Sequence, residues 1–168
     1  HLATGFLGTP YLLNVLSRFG YTELAYQLLN QKTMPSWLYP ITKGATTIWE
    51  KWDAIRPDGS LDTCSLNHYA YGAVGDWLYR EIAGINAESP GYKNIKIYPH
   101  IGGGLTWVKS SYKCPYGLIV SNWSIKKHTY HIEVTIPRST SAKVILPDNQ
   151  IKSIGAGTYV FSGKFKAS

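Results

Sequence analysis

Ten consecutive residues, Gly44 to Asp53 (GATTIWEKWD), hold two tryptophans, a glutamate and an aspartate. An indole face can lie against the apolar face of a pyranose ring while its N–H finds a polar partner. A carboxylate beside such rings can take a proton from water or give one to a leaving oxygen. Glu50 is therefore the leading candidate for acid–base chemistry on a sugar, and Trp49, Trp52 and Asp53 are candidate substrate contacts. On a helix, Glu50 and Asp53 would share one surface with β-carbons about 5–6 Å apart, a spacing that admits a local acid–base pair. Two acids so placed more often form a solvated face or hold substrate hydroxyls, so Asp53 is assigned to binding or support. Trp49 and Trp52 read equally well as core, because aromatic side chains supply much of core burial.

The elements that would position these residues change character along the chain. In the first half, Leu12, Val15, Leu16 and Phe19 recur at helical spacing between Pro10 and Gly20, and Tyr21, Leu24, Ala25, Leu28 and Leu29 repeat the pattern at once. These two helices predict a hairpin. A third helix is expected from Ser65 as cap, through Ala70, Ala73, Val74, Trp77 and Leu78, to Gly84, with Ile85 placed for a C-terminal contact and Trp77 in the core. A further helix starting near Ser36 must bend or end at Pro40, which bears directly on how Glu50 is presented.

The second half has period two. Tyr130, Ile132, Val134 and Ile136 alternate with polar residues, and further strands are expected at 95–98, 105–112, 118–125, 143–146 and 158–162. Short strands between Gly, Pro, Asn and Asp turns predict an antiparallel β-sandwich. The boundary between the halves falls near Pro90-Gly91, giving domains 1–92 and 93–168.

Charge divides the same way. Residues 1–92 carry six Lys/Arg against eight Asp/Glu, whereas residues 93–168 carry eleven against two. The net charge of +7 thus belongs to the second half, where the lysines are spread singly apart from Lys126-Lys127, as on a solvated surface. No nucleic-acid partner is expected. No apolar run approaches the roughly 18 residues of a membrane helix, so no membrane partner is expected either. Cys64 and Cys114 lack metal-like spacing and read as free thiols, no His/Cys/Asp cluster suggests a metal, and no cofactor is expected. Gly102-Gly103-Gly104 reads as a loop, since no phosphate-binding fingerprint surrounds it.

Size adds a constraint. A sheet of about 75 residues covers the apolar faces of three or four helices only in part, and small domains bury a small fraction of their surface. Some face should be left over, for the rest of a helical barrel in a longer protein or for a second copy of the chain, so self-association is an expectation. The chain also opens on His1 rather than Met, which reads as a piece of something longer.

Three runs in order, HLATGFLGTPYLL (1–13), GATTIWEKWD (44–53) and SLNHYAYGAVGDWLY (65–79), resemble the C-terminal end of bacterial α-L-rhamnosidases of glycoside hydrolase family 78, and PHIGGGLTWVKSSYKCPYG (99–117) resembles the opening of their following β-sandwich. The resemblance covers essentially the whole chain. It implies an α+β two-domain fragment, the C-terminal helices of an (α/α)₆ barrel followed by an antiparallel β-sandwich. It further implies a parent enzyme that releases terminal L-rhamnose from rhamnose-containing glycosides or polysaccharides with inversion. Inversion uses two carboxyl groups roughly 6.5–9.5 Å apart. The resemblance puts the general base at Glu50 and the general acid upstream of His1, outside this sequence. It also places His68 near the sugar, where a plain helix-start histidine is the competing reading. His1 opens the first motif but, as a terminal residue, is expected to fray. The alternative function is a β-sandwich without catalytic activity, either carbohydrate-binding through exposed Trp107, Tyr112, Tyr116 and Trp123 or serving only as a buttress with those rings buried.

Overall fold

The computed structural model describes residues 1–165; Lys166 and the two residues after it, the end of the expected second domain, lie outside the described residues. The chain divides into two compact units, His1–Trp77 and the part from Leu78 onward.

In the first unit, α1 (Thr9–Arg18) and α2 (Thr22–Leu29) form the expected hairpin. Gly20 sits at φ +86° and ends α1 with paired bonds, Gly20 N–H to Ser17 O (3.1 Å) and Tyr21 N–H to Leu16 O (2.8 Å). This is the left-handed glycine cap, which costs a residue without Cβ little. The buried face of α1 is Thr9, Leu13 and Ser17 rather than the leucine and phenylalanine positions that the spacing favours. Ser17 is buried because its hydroxyl accepts the indole N–H of Trp77 at 2.8 Å, and Tyr26 of α2 meets the same indole edge-on. Trp77 is the core residue the spacing predicts.

Of the residues that the sequence assigns to the core of α1, Leu12 and Leu16 are half-buried and Val15 and Phe19 are exposed. Leu7, Tyr11, Val15 and Phe19 recur every fourth position and are 89%, 69%, 49% and 70% exposed, an open apolar stripe; Tyr21, the N-cap of α2, and Leu24 within it are exposed as well. A leftover face was expected, and it lies here.

Helix α3 is one short turn, Leu38–Thr42. Ser36 Oγ accepts the Tyr39 N–H (3.1 Å), and the helix ends two residues after Pro40 in a second glycine cap at Gly44 (φ +80°). Gly44 N–H bonds to Ile41 O and Ala45 N–H to Pro40 O. The segment from Gly44 to Asp53 is therefore irregular and not helical. The expected third helix is also shorter and less regular, a 3₁₀ turn Ala70–Ala73 leading into α4 (Val74–Trp77). Ser65 does not cap it; His68 Nδ1 accepts the Ala70 N–H instead, at 3.2 Å.

The second unit opens with a π-helical turn, Leu78–Ile82. Among the described residues nine strands follow in two sheets. One sheet has the order β1 (Ile85–Ala87), β2 (Asn94–Ile97), β7 (Ser141–Ile145), β8 (Ile151–Ile154). The other runs β3 (Trp107–Val108), β5 (Gly117–Lys126), β6 (Thr129–Ile136), β9 (Gly157–Lys164), with β4 (Ser111–Cys114) also on β5. All ladders are antiparallel except β2 with β7, which is parallel and departs from the wholly antiparallel expectation. The buried residues alternate as the period predicts: Ile119, Ser121 and Trp123 on β5, Tyr130, Ile132, Val134 and Ile136 on β6.

Gly84 explains why residues 85–87 form a strand rather than a helix end. Its φ is +77°, and a Cβ there would lie 2.3 Å from the Pro99 backbone nitrogen, so glycine is needed to lay β1 against the chain leaving β2. Gly84 O accepts the Tyr98 N–H at 2.9 Å. The strand expected over 105–112 is two strands, interrupted where Ser110 N–H turns aside to Asn122 Oδ1.

Candidate active site

Glu50 lies on the irregular segment after α3, and that segment is clamped to the stretch 65–68. Glu50 N–H donates to Ser65 O (2.9 Å), Ser65 N–H donates to Glu50 Oε2 (2.7 Å), His68 N–H donates to Ile48 O (2.8 Å) and Thr47 Oγ1 donates to Leu66 O (2.5 Å). A charge-assisted bond from a backbone N–H holds a carboxylate firmly, since the donor cannot rotate away. One oxygen is thereby occupied. Oε1 has no hydrogen-bond partner among the described residues, and the half-buried side chain makes no ion pair there.

The neighbouring lysine does not neutralise it. Lys51 Nζ is 2.8 Å from Asp62 Oδ2, and Arg56 approaches the same oxygen at 3.7 Å. The Lys51 hydrogen bond, followed by the Thr63 N–H, holds the Asp62 carboxyl below the usual range, and Asp62 in turn holds the lysine above its own. Cys64, beside Glu50, has its thiol pushed up first by burial and then by the Asp62 and Glu50 charges, so it stays a protonated, unreactive packing group. Cys64 and Cys114 are both free.

The two tryptophans part company. Trp49 is 3% exposed and packs with Tyr39 and Ala54, flanked by Met34, Ala45, Ile55 and Cys64. Its ring faces are covered by protein. Trp52 is half-buried, lies flat on Tyr71 (centroids 3.6 Å apart, planes at 14°), meets Trp37 edge-on and donates its indole N–H to Thr4 O at 3.1 Å. A cavity of about 60 Å³ between Trp49, Trp52 and Tyr71 has room for a water or two and none for a sugar ring.

Asp53 is half-buried without a hydrogen bond or ion pair among the described residues. After burial, its charge is the second cause that raises the Tyr71 hydroxyl above the ordinary tyrosine range, which places carboxylate and phenol near each other. The loss of a helix at this segment removes the geometry on which a local Glu50–Asp53 pair depended. His68 stacks between Phe6 and Tyr69, 5.0 Å from each at 12° and 13°. With Nδ1 accepting from Ala70, the neutral ring carries its proton on Nε2 and presents a donor. His1 is exposed, and its Nε2 is hydrogen-bonded to Thr33 Oγ1 at 2.6 Å.

Rings thus run continuously as Tyr69, His68, Phe6, Tyr71, Trp52 and Trp37. The sequence reading missed Phe6, Tyr71 and Ser65. The first two had only aromatic density to mark them. Ser65 contributes through its backbone N–H, which no residue type announces. Among the described residues no group of three or more His, Cys, Asp or Glu could hold a metal, and no helix is long and apolar enough to cross a membrane.

The family model described as bacterial alpha-L-rhamnosidase 6 hairpin glycosidase domain matches residues 1–82, and that of the bacterial alpha-L-rhamnosidase C-terminal domain matches residues 84–161. This chain belongs to the bacterial α-L-rhamnosidase family, a family of glycosidases. It is 46% identical over 150 residues to an α-L-rhamnosidase of Streptomyces avermitilis, covering 88% of this chain and 15% of the relative. To one of Formosa agariphila it is 45% identical over 157 residues, 92% of this chain and 17% of the relative. Among solved structures, the S. avermitilis α-L-rhamnosidase complexed with L-rhamnose matches with a TM-score of 0.95 at 40% identity, over 98% of this chain and 18% of that one. The chain thus spans less than a fifth of the length of these relatives.

Proposed function

We propose that this chain supplies the general base of an inverting α-L-rhamnosidase and that Glu50 is that base. The observation that supports the reading most is the bracing of Glu50. Its Oε2 is held by the Ser65 N–H, and Oε1 is left to take a proton from water. The base must sit on the sugar face opposite the acid with a water between, so a carboxylate fixed by its own backbone neighbour and free of cations suits the role. The general acid lies, on this reading, in the part of the relatives that this chain does not span. The substrate is a terminal α-L-rhamnoside, as the relatives' names indicate for them.

In this proposal Trp52, Asp53 and His68 line the sugar site, with His68 Nε2–H and the Asp53 carboxylate as hydroxyl partners and Trp52 as a wall. Trp49, wholly packed, supports Glu50 from beneath rather than touching sugar. The helices of the first unit belong to an (α/α)₆ barrel whose remaining hairpins cover the Leu7–Phe19 stripe. Domains divide at about 92/93 by composition.

The test is Glu50→Gln in the full-length enzyme that contains this chain. The expected loss in kcat on an aryl α-L-rhamnoside is about 10² to 10⁴, with KM changed little, and nuclear magnetic resonance should show β-L-rhamnose as the first product of the unsubstituted enzyme. Unchanged turnover, or α-L-rhamnose released first, would remove the assignment.

A further inference from the structure

The outer face of the β3-β5-β6-β9 sheet carries a groove of about 440 Å³, built wholly from the second unit. Strand alternation dictates what lines it. Because Ser121, Trp123, Ile132 and Val134 point inward, the register puts Trp107, Ser124, His131 and Ser162 side by side in one outward row and Asn122, Glu133 and Val160 in the next. Lys109 stands at the edge of the groove.

The groove is pre-organised at its centre. Asn122 Oδ1 accepts the Ser110 N–H at 3.0 Å, and Asn122 Nδ2 donates to Glu133 Oε1 at 3.1 Å. These two bonds fix which way the carboxamide faces and leave the second Nδ2 hydrogen and Glu133 Oε2 for a ligand. Beside them the Trp107 indole is 62% exposed, an unusual position for so large a ring on an edge strand. An open indole face next to a braced carboxylate, an amide, a hydroxyl and an imidazole is a set of groups matched to a ring with one apolar face and a rim of hydroxyls.

We propose that this groove binds a pyranose unit of a glycan. Trp107 lies against the apolar face of the ring, and Asn122, Glu133 and His131 hold its hydroxyls. The surface differs from the aromatic platform that the sequence suggests: Trp123 is 2% exposed and donates its indole N–H to Ile82 O at 2.8 Å, and Tyr112 and Tyr116 do not line the groove. A nucleic-acid strand fits less well despite the basic charge of this half, because Glu133 at the centre would face phosphate. The inference does not rest on the assignment of Glu50.

The experiment is a titration of the isotope-labelled chain, followed by its indole N–H resonances, with L-rhamnose, D-galactose and polygalacturonate as probes. A saturable shift of the Trp107 resonance is expected with at least one probe below about 100 mM, an affinity usual for one small contact patch. Trp107→Ala and Glu133→Gln should each weaken that binding at least tenfold, whereas Glu50→Gln and Trp52→Ala should leave it unchanged. A dispersed spectrum shows that each variant is folded. Absence of a saturable Trp107 shift with all three probes overturns the proposal. So does binding that survives Trp107→Ala, which would be plain charge attraction if it also falls steeply with salt, and so does binding that follows Trp52→Ala, which would belong to the first unit.

Discussion

At the scale of single residues, function and stability use the same few groups. Asp62 spares Glu50 a cation by holding Lys51 and Arg56, so the candidate base is left without an ion-pair partner by a carboxylate twelve residues further along the chain. The sign of its pH dependence follows from the shifts. Asp62 is depressed by the Lys51 hydrogen bond, so its contribution is complete above the unfolded carboxyl value of about 3.9 and is lost as pH falls through the lower folded value. Lys51 is raised by the same partner, so its contribution is complete below about 10.4 and is lost as pH rises through the higher folded value. Thermal melts of the chain and of Asp62→Asn should therefore differ across the neutral range, begin to converge as pH falls below about 3.9 and coincide below the depressed folded value of Asp62. A difference that persists in acid would place the role of Asp62 elsewhere.

A second residue-scale prediction concerns Tyr130. Burial and the hydrogen bond to Asp148 push its hydroxyl up to about 12, and Gly163 lies across the strand pair so close that an added Cβ would be 2.6 Å from that oxygen. Gly163→Ala should cost about 1–3 kcal/mol, the range for forcing atoms into a packed site, read by denaturant unfolding. Much of this site-level detail was beyond the sequence. Glu50, Trp52, Asp53 and His68 could be singled out because their types carry chemistry, whereas the Ser65 N–H that orients Glu50 is a backbone group identical in every residue but proline.

At the scale of elements, the loops decide presentation. Pro40 and Gly44 end α3 early, and the freed segment is then held by bonds to 65–68 instead of by its own helix. The β5–β6 hairpin shows a different economy. Its two-residue turn, Lys127-His128, has φ of +47° and +61°, the conformation that Asn-Gly adopts most readily. Replacing the pair by Asn-Gly should stabilise the chain by about 1 kcal/mol or somewhat more, seen as a higher denaturant midpoint with an unchanged slope. At Gly84 the opposite holds, since neither φ nor space admits a side chain, and Gly84→Ala should destabilise by several-fold more than an exposed glycine such as Gly59. The helical hairpin and the long strands β5, β6 and β9 were legible because their periods are strong and long. The short strands β1 and β8 were not, because Gly84-Ile85 reads as a helix end and Ile151–Ile154 has no alternation of burial, and the parallel partner of β2 is set by the crossover and not by composition.

At the scale of the whole molecule, the apolar stripe on α1 is the dominant fact. Buried apolar surface contributes roughly 25 cal/mol per Å², and a row of Leu7, Tyr11, Val15 and Phe19 left open is a strong drive to find cover. If the rest of a barrel supplies that cover in the parent enzyme, the isolated chain should associate with itself. Sedimentation velocity is expected to show concentration-dependent growth that Tyr11→Glu with Phe19→Glu reduces to a monomer; a monomeric parent chain at about 100 μM would argue that the stripe is no interface.

Sequence alone determined the family, the order of a helical part and a sheet part, the carboxylate worth watching and the existence of an uncovered face. These follow from residue types and from periods that hold over many positions. Which side of α1 is buried, that Trp49 packs in the core while Trp52 lies on Tyr71, and that Glu50 is braced by Ser65 were decided only in three dimensions. The reason is physical: a helix with apolar residues on two sides offers two faces, and the choice between them belongs to the partner that arrives, here the Trp77 indole seeking the Ser17 hydroxyl.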